Sequence, residues 1–251
     1  MTKILLHGAC GRMGHWIADT VSGERDCKIV AGVDPSGEAY GEFPVYPSLA
    51  EVKETADVII DFSSATAVDA LLAYAAERKL PLVLCTTGLS EAQIETVGKT
   101  AERTAVLRSS NMSIGVNLLI KVLREAAPVL AAAGFDMEIV EKHHNQKLDA
   151  PSGTALSLAD ACSEACGGGY DYVYDRSQRR EKRPEREIGI SSVRGGTIVG
   201  DHDVIFAGQD EVVTLSHRAY SRAIFAKGAV AAARFLVGKP AGLYDMMDVI
   251  G

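Results

Sequence analysis

The first 110 residues alternate short apolar runs with amphipathic segments. The apolar runs predict strands at 2–8, 27–34, 58–63, 81–88 and 105–110. Helical periodicity predicts one helix through Trp16 and Val21 and two more at 65–78 and 90–103. Because strands that alternate with helices of this length form βαβ units, the pattern indicates an α/β fold. Its Rossmann-type parallel sheet would bind a ligand at the carboxyl ends of the strands.

The pattern changes after residue 115. A helix leads into a short alternating strand that ends near His143, and another helix runs from Gly153 to Cys166. The segment 167–187 mixes charges of both signs with glycine and tyrosine. This composition is typical of a solvated, mobile loop rather than of a nucleic-acid site.

Three further alternating runs predict antiparallel strands at 188–196, 197–208 and 211–219. Short glycine-containing turns join them, and helical periodicity returns from 221 to 237. Such a sheet beside a parallel one indicates a second domain. We therefore expect a first domain made of 1–114 and 221–251, and a second, α+β domain at 115–220, with hinges near both crossings.

Composition narrows the function classes. The chain has 251 residues and a net charge of −7, which argues against general nucleic-acid binding. No apolar run approaches the length of a membrane span, and no secretory signal is expected. The five cysteines are scattered and odd in number, so a reducing cytoplasm is the natural location. Cys162 and Cys166 lack a second pair of ligands and predict no zinc site.

A glycine motif follows the first predicted strand and opens the first helix. Its spacing is G-x-x-G-x-x-G, with Ala9 where the common dinucleotide fingerprint has its first glycine and Gly11 and Gly14 at the other two places. Such a turn lets backbone approach a diphosphate at a helix N-terminus, although an ordinary strand-to-helix turn can look the same.

Asp34 ends the next strand, twenty residues after Gly14, where a carboxylate would bind the ribose hydroxyls of the adenosine half. Pro35 and Ser36 follow it, so no adjacent basic residue receives a 2′-phosphate. This favours NADH over NADPH. Arg12 in the glycine loop could offset the preference, which therefore stays open.

The densest cluster of reactive side chains lies at 138–155. Adjacent residues of an extended segment point to opposite faces, so His143 and His144 have different roles. Histidine suits a general acid, and Lys147 offers a second proton or a fixed positive charge. The amides at the start of the helix near Gly153 would face a carboxylate or phosphate. Taken singly, each residue could also be a packed, solvated or helix-capping side chain.

The run E-x-x-E-x-H-H-x-x-K-x-D-A-P-S-G-T-A at these positions resembles the signature of the 4-hydroxy-tetrahydrodipicolinate reductase (dihydrodipicolinate reductase) family. The resemblance covers almost the whole chain. It implies NADH- or NADPH-dependent hydride transfer to C4 of a small cyclic dicarboxylate, giving tetrahydrodipicolinate in the diaminopimelate route to lysine. It also implies a homotetramer formed through the sheet of the second domain, which would bind substrate.

The resemblance assigns roles to individual residues. His143 is the expected proton donor, Lys147 a second donor or electrostatic stabiliser, and His144, Gly153 and Thr154 the substrate-binding residues. The expected cofactor-binding residues are Gly8, Ala9, Cys10, Gly11, Arg12, Met13, Asp34, Cys85, Thr86, Thr87, Ser109, Ser110, Asn111 and Met112. This chain departs from the family in having Cys85 for a glycine and Met112 for an aromatic residue.

Three other interpretations remain open. Another two-domain Rossmann dehydrogenase would need a nucleophilic cysteine, for which Cys85 is the candidate near the cofactor cleft. A catalytically silent NAD(H) sensor would keep the fold without the chemistry. A metal site built from His143, His144 and Asp149 is disfavoured, because adjacent histidines on an extended segment do not easily reach one ion.

Overall fold

The structure is a computed structural model that describes all 251 residues. Its strands are β1 (Thr2–His7), β2 (Cys27–Val33), β3 (Val45–Tyr46), β4 (Val58–Asp61), β5 (Leu82–Leu84), β6 (Ala105–Arg108), β7 (Asp136–His143), β8 (Asp171–Val173), β9 (Glu187–Arg194), β10 (Gly200–Ala207), β11 (Val212–Ala219) and β12 (Gly242–Tyr244). Its α-helices are α1 (Arg12–Ser22), α2 (Val68–Arg78), α3 (Glu91–Ala101), α4 (Ile114–Ala132), α5 (Gly153–Ala165), α6 (Ala223–Leu236) and α7 (Met246–Ile250). Short 3-10 turns occur at Leu49–Glu51 and Ala65–Ala67.

The chain divides into two compact units, Met1–Ile114 with Arg222–Gly251 and Gly115–Ser221. The first unit contains a seven-stranded sheet in the order β12-β6-β5-β4-β1-β2-β3, and every pairing in it is parallel. The predicted Rossmann-type parallel sheet is confirmed. β3 and β12 are the strands that the apolar pattern did not predict, because each is only two or three residues long.

The central strands of this sheet are buried on both faces. Ile4, Leu6 and Ile60 belong to one apolar cluster, and Leu5 and Ile59 belong to the cluster on the other side. Continuous apolar runs rather than strict alternation are the sequence pattern of such strands. The helices therefore pack on both faces and leave the carboxyl ends of the strands available for a site.

The second unit is built on a five-stranded mixed sheet in the order β11-β10-β7-β9-β8. β7 is central and alternates strictly, so that Met137, Ile139, Glu141 and His143 are buried on one face. Period-two alternation brings a glutamate and a histidine onto the same buried face as two core residues. The end of β7 therefore places polar side chains in the interior of this unit.

The prediction of three antiparallel strands after residue 187 is wrong in its pairing. β10 and β11 are antiparallel, but β9 lies on the other side of β7 and runs parallel to it. Gly195 and Gly196 therefore do not close a hairpin between neighbouring strands. An alternating pattern shows which face of a strand is buried but carries no information on direction, so the turn signal was over-interpreted.

The segment 167–187 also makes more contacts with the sheet than the prediction of a solvated, mobile loop implies. It contains β8, which pairs in parallel with β9. Arg183 donates to Glu138 at 3.0 Å and to Asp136 at 2.7 Å, and Arg176 donates to Glu138 at 2.9 Å. Its arginines thus bind carboxylates of the sheet, a long-range pairing that composition does not reveal.

None of the helices combines the length and the apolar character that crossing a membrane would require.

Two mid-helix glycines of the first unit allow a matched test of its packing. A Cβ added at Gly228 in α6 would lie 1.7 Å from the carbonyl oxygen of Met112, whereas a Cβ at Gly98 in α3 meets nothing within 4 Å. We expect Gly228→Ala to lower the free energy of unfolding by about 3 kcal/mol or more, since backbone must move. Gly98→Ala should raise it by about 1 kcal/mol through helix propensity. Chemical denaturation of both variants measures the difference, and equal effects would contradict this packing.

Candidate active site

A cavity of about 920 Å³ opens at the carboxyl ends of β1, β2 and β4 in the first unit. Its polar and backbone lining includes His7, Gly8, Gly11, Asp34, Ser63 and Ser64. Three of these, Gly8, Gly11 and Asp34, are residues that the sequence predicted for a cofactor site. The cavity lies where open parallel sheets bind their ligands.

The glycine loop has the geometry that a dinucleotide diphosphate needs. Gly8 has φ +78°, and a Cβ there would lie 2.6 Å from the carbonyl oxygen of Phe62. A Cβ at Gly14 would lie 2.0 Å from the carbonyl oxygen of Ala9, so α1 packs closely on the loop. Gly11 caps α1 without a side-chain hydrogen bond. The helix N-terminus and its amides therefore face the loop with nothing larger than glycine at the cap, an arrangement that fits a diphosphate.

The substitution of Ala9 for the first glycine of the common fingerprint does not disturb this loop. Ala9 is fully buried in the core, and the positive φ belongs to Gly8, one residue earlier. The G-x-x-G-x-x-G spacing thus places its flexible residue where the turn needs it. The residues present fit the dinucleotide that the fold implies.

The carboxylate of Asp34 is held at the end of β2. It accepts hydrogen bonds from the amide of Cys10 at 3.1 Å, the amide of Ser36 at 3.1 Å and the hydroxyl of Ser36 at 3.0 Å. These contacts tie the carboxylate to the glycine loop. It lines the same cavity as Gly8 and Gly11, in the position expected for a ribose-binding acid.

The other predicted cofactor residues form the surroundings of this cleft rather than the lining of the cavity. Thr86 donates to Asp61 at 2.6 Å, Ser109 donates to the carbonyl of Asn111 at 3.1 Å, and Met112 is buried in the core. Cys10, Met13 and Cys85 pack against that core, whereas Arg12, Thr87 and Ser110 are exposed. Their roles toward a cofactor stay predictions.

In the second unit, His143 ends β7 with its ring largely buried. Its Nδ1 lies 2.5 Å from Oε2 of Glu141, whose side chain is fully buried. Arg194 donates to both oxygens of Glu141, at 2.8 and 2.7 Å, and the amide of Ser152 donates to Oε1 at 3.1 Å. The carboxylate is thus satisfied on every side. It fixes one nitrogen of the imidazole and leaves the other, Nε2, for chemistry.

The electrostatics follow from these contacts. Burial raises the pKa of Glu141, but hydrogen bonds from Arg194, Ser192 and His143 outweigh it and hold that pKa at about 2. Glu141 is therefore ionised near neutrality and can only accept, so Nδ1 of His143 carries a proton. Burial lowers the pKa of His143, and Glu141 opposes that shift. Lys147 and Arg194 add to the lowering, so the neutral form of the ring is favoured in the free protein.

Gly200 on β10 keeps space open beside the reactive nitrogen. A Cβ at this position would lie 3.1 Å from Nε2 of His143. Two residues along the same buried face, His202 lies directly opposite Glu141 in the sheet register. Nε2 of His202 is 2.9 Å from the hydroxyl of Ser152, and its ring contacts that of His143 edge-on at 5.2 Å between centroids.

Burial lowers the pKa of His202 to about 4, and the neighbouring His143 adds to the shift. His202 is therefore neutral near pH 7 and does not oppose a positive charge on His143. Its hydrogen bond to Ser152, which also caps α5 through the amide of Ala155 at 3.1 Å, joins the histidine pair to the start of that helix.

The remaining predicted substrate residues lie on the turn and helix that follow β7. Lys147 donates to Asp149 at 2.9 Å, with the lysine largely buried and the aspartate exposed. Gly153 and Thr154 are the first two residues of α5. Amides of a first helical turn lie outside the helix ladder and commonly bind anions. His144 is partly exposed at the strand end. The second unit therefore places every predicted catalytic and substrate residue on one continuous segment.

The sequence did not single out Glu141, Arg194 or His202. Glu141 could have been found, because period two puts it on the same face as His143. Arg194 and His202 lie 51 and 59 positions after His143, and only the register of β9 and β10 against β7 brings them to this site.

A parallel sheet with a glycine loop and a carboxylate at the place expected for ribose binding, together with a separate buried histidine–carboxylate pair, is the arrangement of two-domain NAD(P)-dependent oxidoreductases. Residues 2–112 match the N-terminal part of dihydrodipicolinate reductase, and residues 115–250 match its C-terminal part. The chain belongs to the dihydrodipicolinate reductase family.

Curated relatives agree over the whole length. The chain is 51% identical to the 4-hydroxy-tetrahydrodipicolinate reductase of Caldanaerobacter subterraneus subsp. tengcongensis, with 100% of this chain and 98% of that protein covered. It is 45% identical to the enzyme of the same name from Clostridium tetani, over 98% and 96% of the two chains. A solved dipicolinate-bound dihydrodipicolinate reductase from Paenisporosarcina sp. TG-14 superposes with a TM-score of 0.82, at 27% identity and with 100% of both chains covered.

The neutral state of His202 has a consequence for acid stability. Its pKa is about 4 in the folded protein against an ordinary value of 6.5, so unfolding takes up a proton below pH 6.5. The free energy of unfolding should therefore be undiminished above pH 6.5 and fall by about 3 kcal/mol as the pH drops to 4, at ~1.4 kcal/mol per pH unit. Denaturant titrations across this range measure the slope.

The variant His202→Gln should make that slope less steep, while the same change at the exposed His15 should leave it intact. His143 and His217 keep part of the slope, because burial lowers the pKa of each of them too. Glu141 does not affect the comparison. Its pKa is lowered from 4.5 to about 2, so its protonation changes the free energy of unfolding only below pH 4.5. An unchanged slope in His202→Gln would show that His202 is already charged in the folded state.

Proposed function

We propose that this chain reduces 4-hydroxy-tetrahydrodipicolinate to tetrahydrodipicolinate with NADH or NADPH, and that His143 supplies the proton. The observation that supports this most directly is the buried His143–Glu141 contact of 2.5 Å, with Arg194 on the far side of the carboxylate. A histidine whose Nδ1 is bound by an ionised acid has Nε2 free for general acid chemistry.

The bound nicotinamide would supply a hydride to the electrophilic ring carbon of the substrate. The diphosphate would lie against the loop of Gly8 and Gly11 at the N-terminus of α1. Asp34 would bind the ribose hydroxyls of the adenosine half. The protein itself has only to orient the cofactor and exclude water around the reacting face.

The substrate side needs positive charge and amide donors for two carboxylates. The dipicolinate held by the related structure is itself a cyclic dicarboxylate. In this chain Lys147 contributes a cation, and Gly153 and Thr154 contribute the first-turn amides of α5. His144, at the same strand end, would contact the ring or a carboxylate.

Proton delivery follows from the charges around His143. As reduction places negative charge on the substrate ring, Nε2 of His143 would donate its proton there. Glu141 stabilises the imidazolium before transfer and keeps Nδ1 protonated after it. Burial disfavours the imidazolium in the free protein. The negative carboxylates of a bound substrate would offset this effect and favour protonation of the ring.

The two rival functions fit the site less well. Burial raises the pKa of Cys85 well above its ordinary value, and Asp61 adds to the shift, so the thiol stays protonated and is a poor nucleophile. A silent sensor would have no use for a buried acid with its own counter-ion and arginine. Both rivals predict cofactor binding without reduction of the cyclic dicarboxylate.

The proposed assembly is a homotetramer, and the proposed location is the cytoplasm. The sheet of the second unit exposes apolar side chains on β9 and β11, with Val193 44% and Val212 62% accessible. We propose that this face forms the homotetramer that the family resemblance implies. The five cysteines are all free thiols, which suits a cytoplasmic enzyme.

The first test is the reaction itself. Wild-type protein should oxidise NADH in the presence of freshly generated 4-hydroxy-tetrahydrodipicolinate, and His143→Gln should lower kcat by about 10²–10⁴-fold. The dissociation constant for NADH should stay within twofold, because the acid site lies outside the cofactor cavity. His15→Gln, the same change at an exposed position, is the control. Equal loss of turnover and NADH binding in His143→Gln would contradict its role as acid.

Cofactor preference is tested at Asp34. Its carboxylate should repel the 2′-phosphate of NADPH and bind the free hydroxyls of NADH. Asp34→Asn removes the charge and keeps the shape, so the ratio of kcat/KM for NADPH over NADH should rise by about tenfold. Steady-state assays with both cofactors measure this ratio. An unchanged ratio would indicate that Asp34 does not set the cofactor preference. The candidates would then be Arg12 and Arg78, of which Arg78 also lines the cavity.

A further inference from the structure

A second buried histidine–carboxylate pair lies in the first unit, outside every role assigned so far. Nδ1 of His7, the last residue of β1, is 2.8 Å from Oδ1 of Asp61, the last residue of β4. Thr86, just after β5, donates to Oδ2 at 2.6 Å, and the amide of Ser63 donates to Oδ1 at 3.2 Å. The side chain of Asp61 is fully buried.

The contacts divide the two nitrogens of His7. Nδ1 is bound by Asp61, and the residue, which is 7% accessible, lines the same cavity as Gly8 and Gly11. Because the carboxylate fixes the ring through one nitrogen, Nε2 is the nitrogen available to a molecule in the cavity. The neighbouring residues are those of the diphosphate loop, whereas Asp34 marks the ribose of the adenosine half.

The charges of Asp61 and of a bound diphosphate explain why a histidine is suited to position 7. Asp61 receives hydrogen bonds from neutral donors and has no arginine or lysine beside it, and a buried carboxylate repels a diphosphate that binds nearby. With a proton on each ring nitrogen, His7 would donate through Nδ1 to Asp61 and through Nε2 to a diphosphate in the cavity. Charge-assisted hydrogen bonds of this kind are among the stronger ones in proteins.

We propose that His7 is a further cofactor-binding residue, held by Asp61 so that its Nε2 hydrogen-bonds the diphosphate of the dinucleotide. Asp61 is then a positioning residue that aligns the ends of β1, β4 and β5 around the cofactor. This inference rests on the proposed use of NADH or NADPH, which binding of NADH to the wild-type protein tests separately.

Two ligands and two variants test the proposal by calorimetry, without turnover. ADP-ribose carries the diphosphate but no nicotinamide, and adenosine carries neither. His7→Asn keeps an amide donor near the place of Nδ1 and removes Nε2, and His7→Gln is the second variant. His217→Asn, the same change in the other unit, is the control. We expect the dissociation constant for ADP-ribose to rise by roughly tenfold in His7→Asn, as for loss of one charge-assisted hydrogen bond.

The constant for adenosine should stay within about twofold of the wild-type value in the same variants, because His7 would touch only the diphosphate. A folded His7→Asn variant that binds ADP-ribose as tightly as the wild type would overturn the proposal. Equal weakening for both ligands, or the failure of both variants to fold, would assign His7 a purely structural role and overturn it too. If the wild-type protein itself binds neither NADH nor ADP-ribose, the proposed function fails instead.

Discussion

The second unit depends on one buried charge, the carboxylate of Glu141. An ionised acid in a protein interior is costly unless its oxygens are all paired, and removal of one partner of such a pair typically costs about 3–5 kcal/mol. Arg194, the amide of Ser152 and Nδ1 of His143 meet that requirement together. The same contacts set the register of β9 against β7, the start of α5 and the orientation of the acid. Stability and chemistry therefore share one set of hydrogen bonds here.

The first unit repeats this arrangement with a different balance of charge. In each unit a fully buried carboxylate near the end of a strand binds Nδ1 of a histidine, at 2.8 Å for Asp61 and 2.5 Å for Glu141. Glu141 also has Arg194, so its charge is neutralised whichever form His143 takes, and this suits the proposed transfer of a proton from the histidine. Asp61 has only neutral donors besides His7. His7 also lines the cavity of the first unit, which suits a role in binding a ligand there.

The features that could be predicted from the sequence are those whose residues lie close together along the chain. The parallel sheet follows from local apolar patterns and is confirmed, whereas the glycine loop and Asp34 line the expected cavity but keep their cofactor roles as predictions. His143, Lys147 and Gly153 share one segment, so their proximity was predictable although their roles still await test. Arg194 and His202 reach the site only through strand register, and the neighbour of β9 in the sheet was mispredicted for the same reason. Side-chain alternation does not encode pairing partners across a sheet.

His202 shows why the surroundings of an acid matter as much as the acid. If it were charged, it would repel the imidazolium of His143 across a centroid distance of 5.2 Å and so disfavour the charged form of the proposed proton donor. Burial prevents this by holding the pKa of His202 at about 4, while its Nε2 remains bonded to Ser152. An apolar residue at this place would avoid the repulsion but remove a hydrogen-bond partner of Ser152, the residue that caps α5. A buried neutral histidine satisfies both demands, so that the helix that would bind the substrate carboxylate and the acid that would protonate the ring are held by a single side chain.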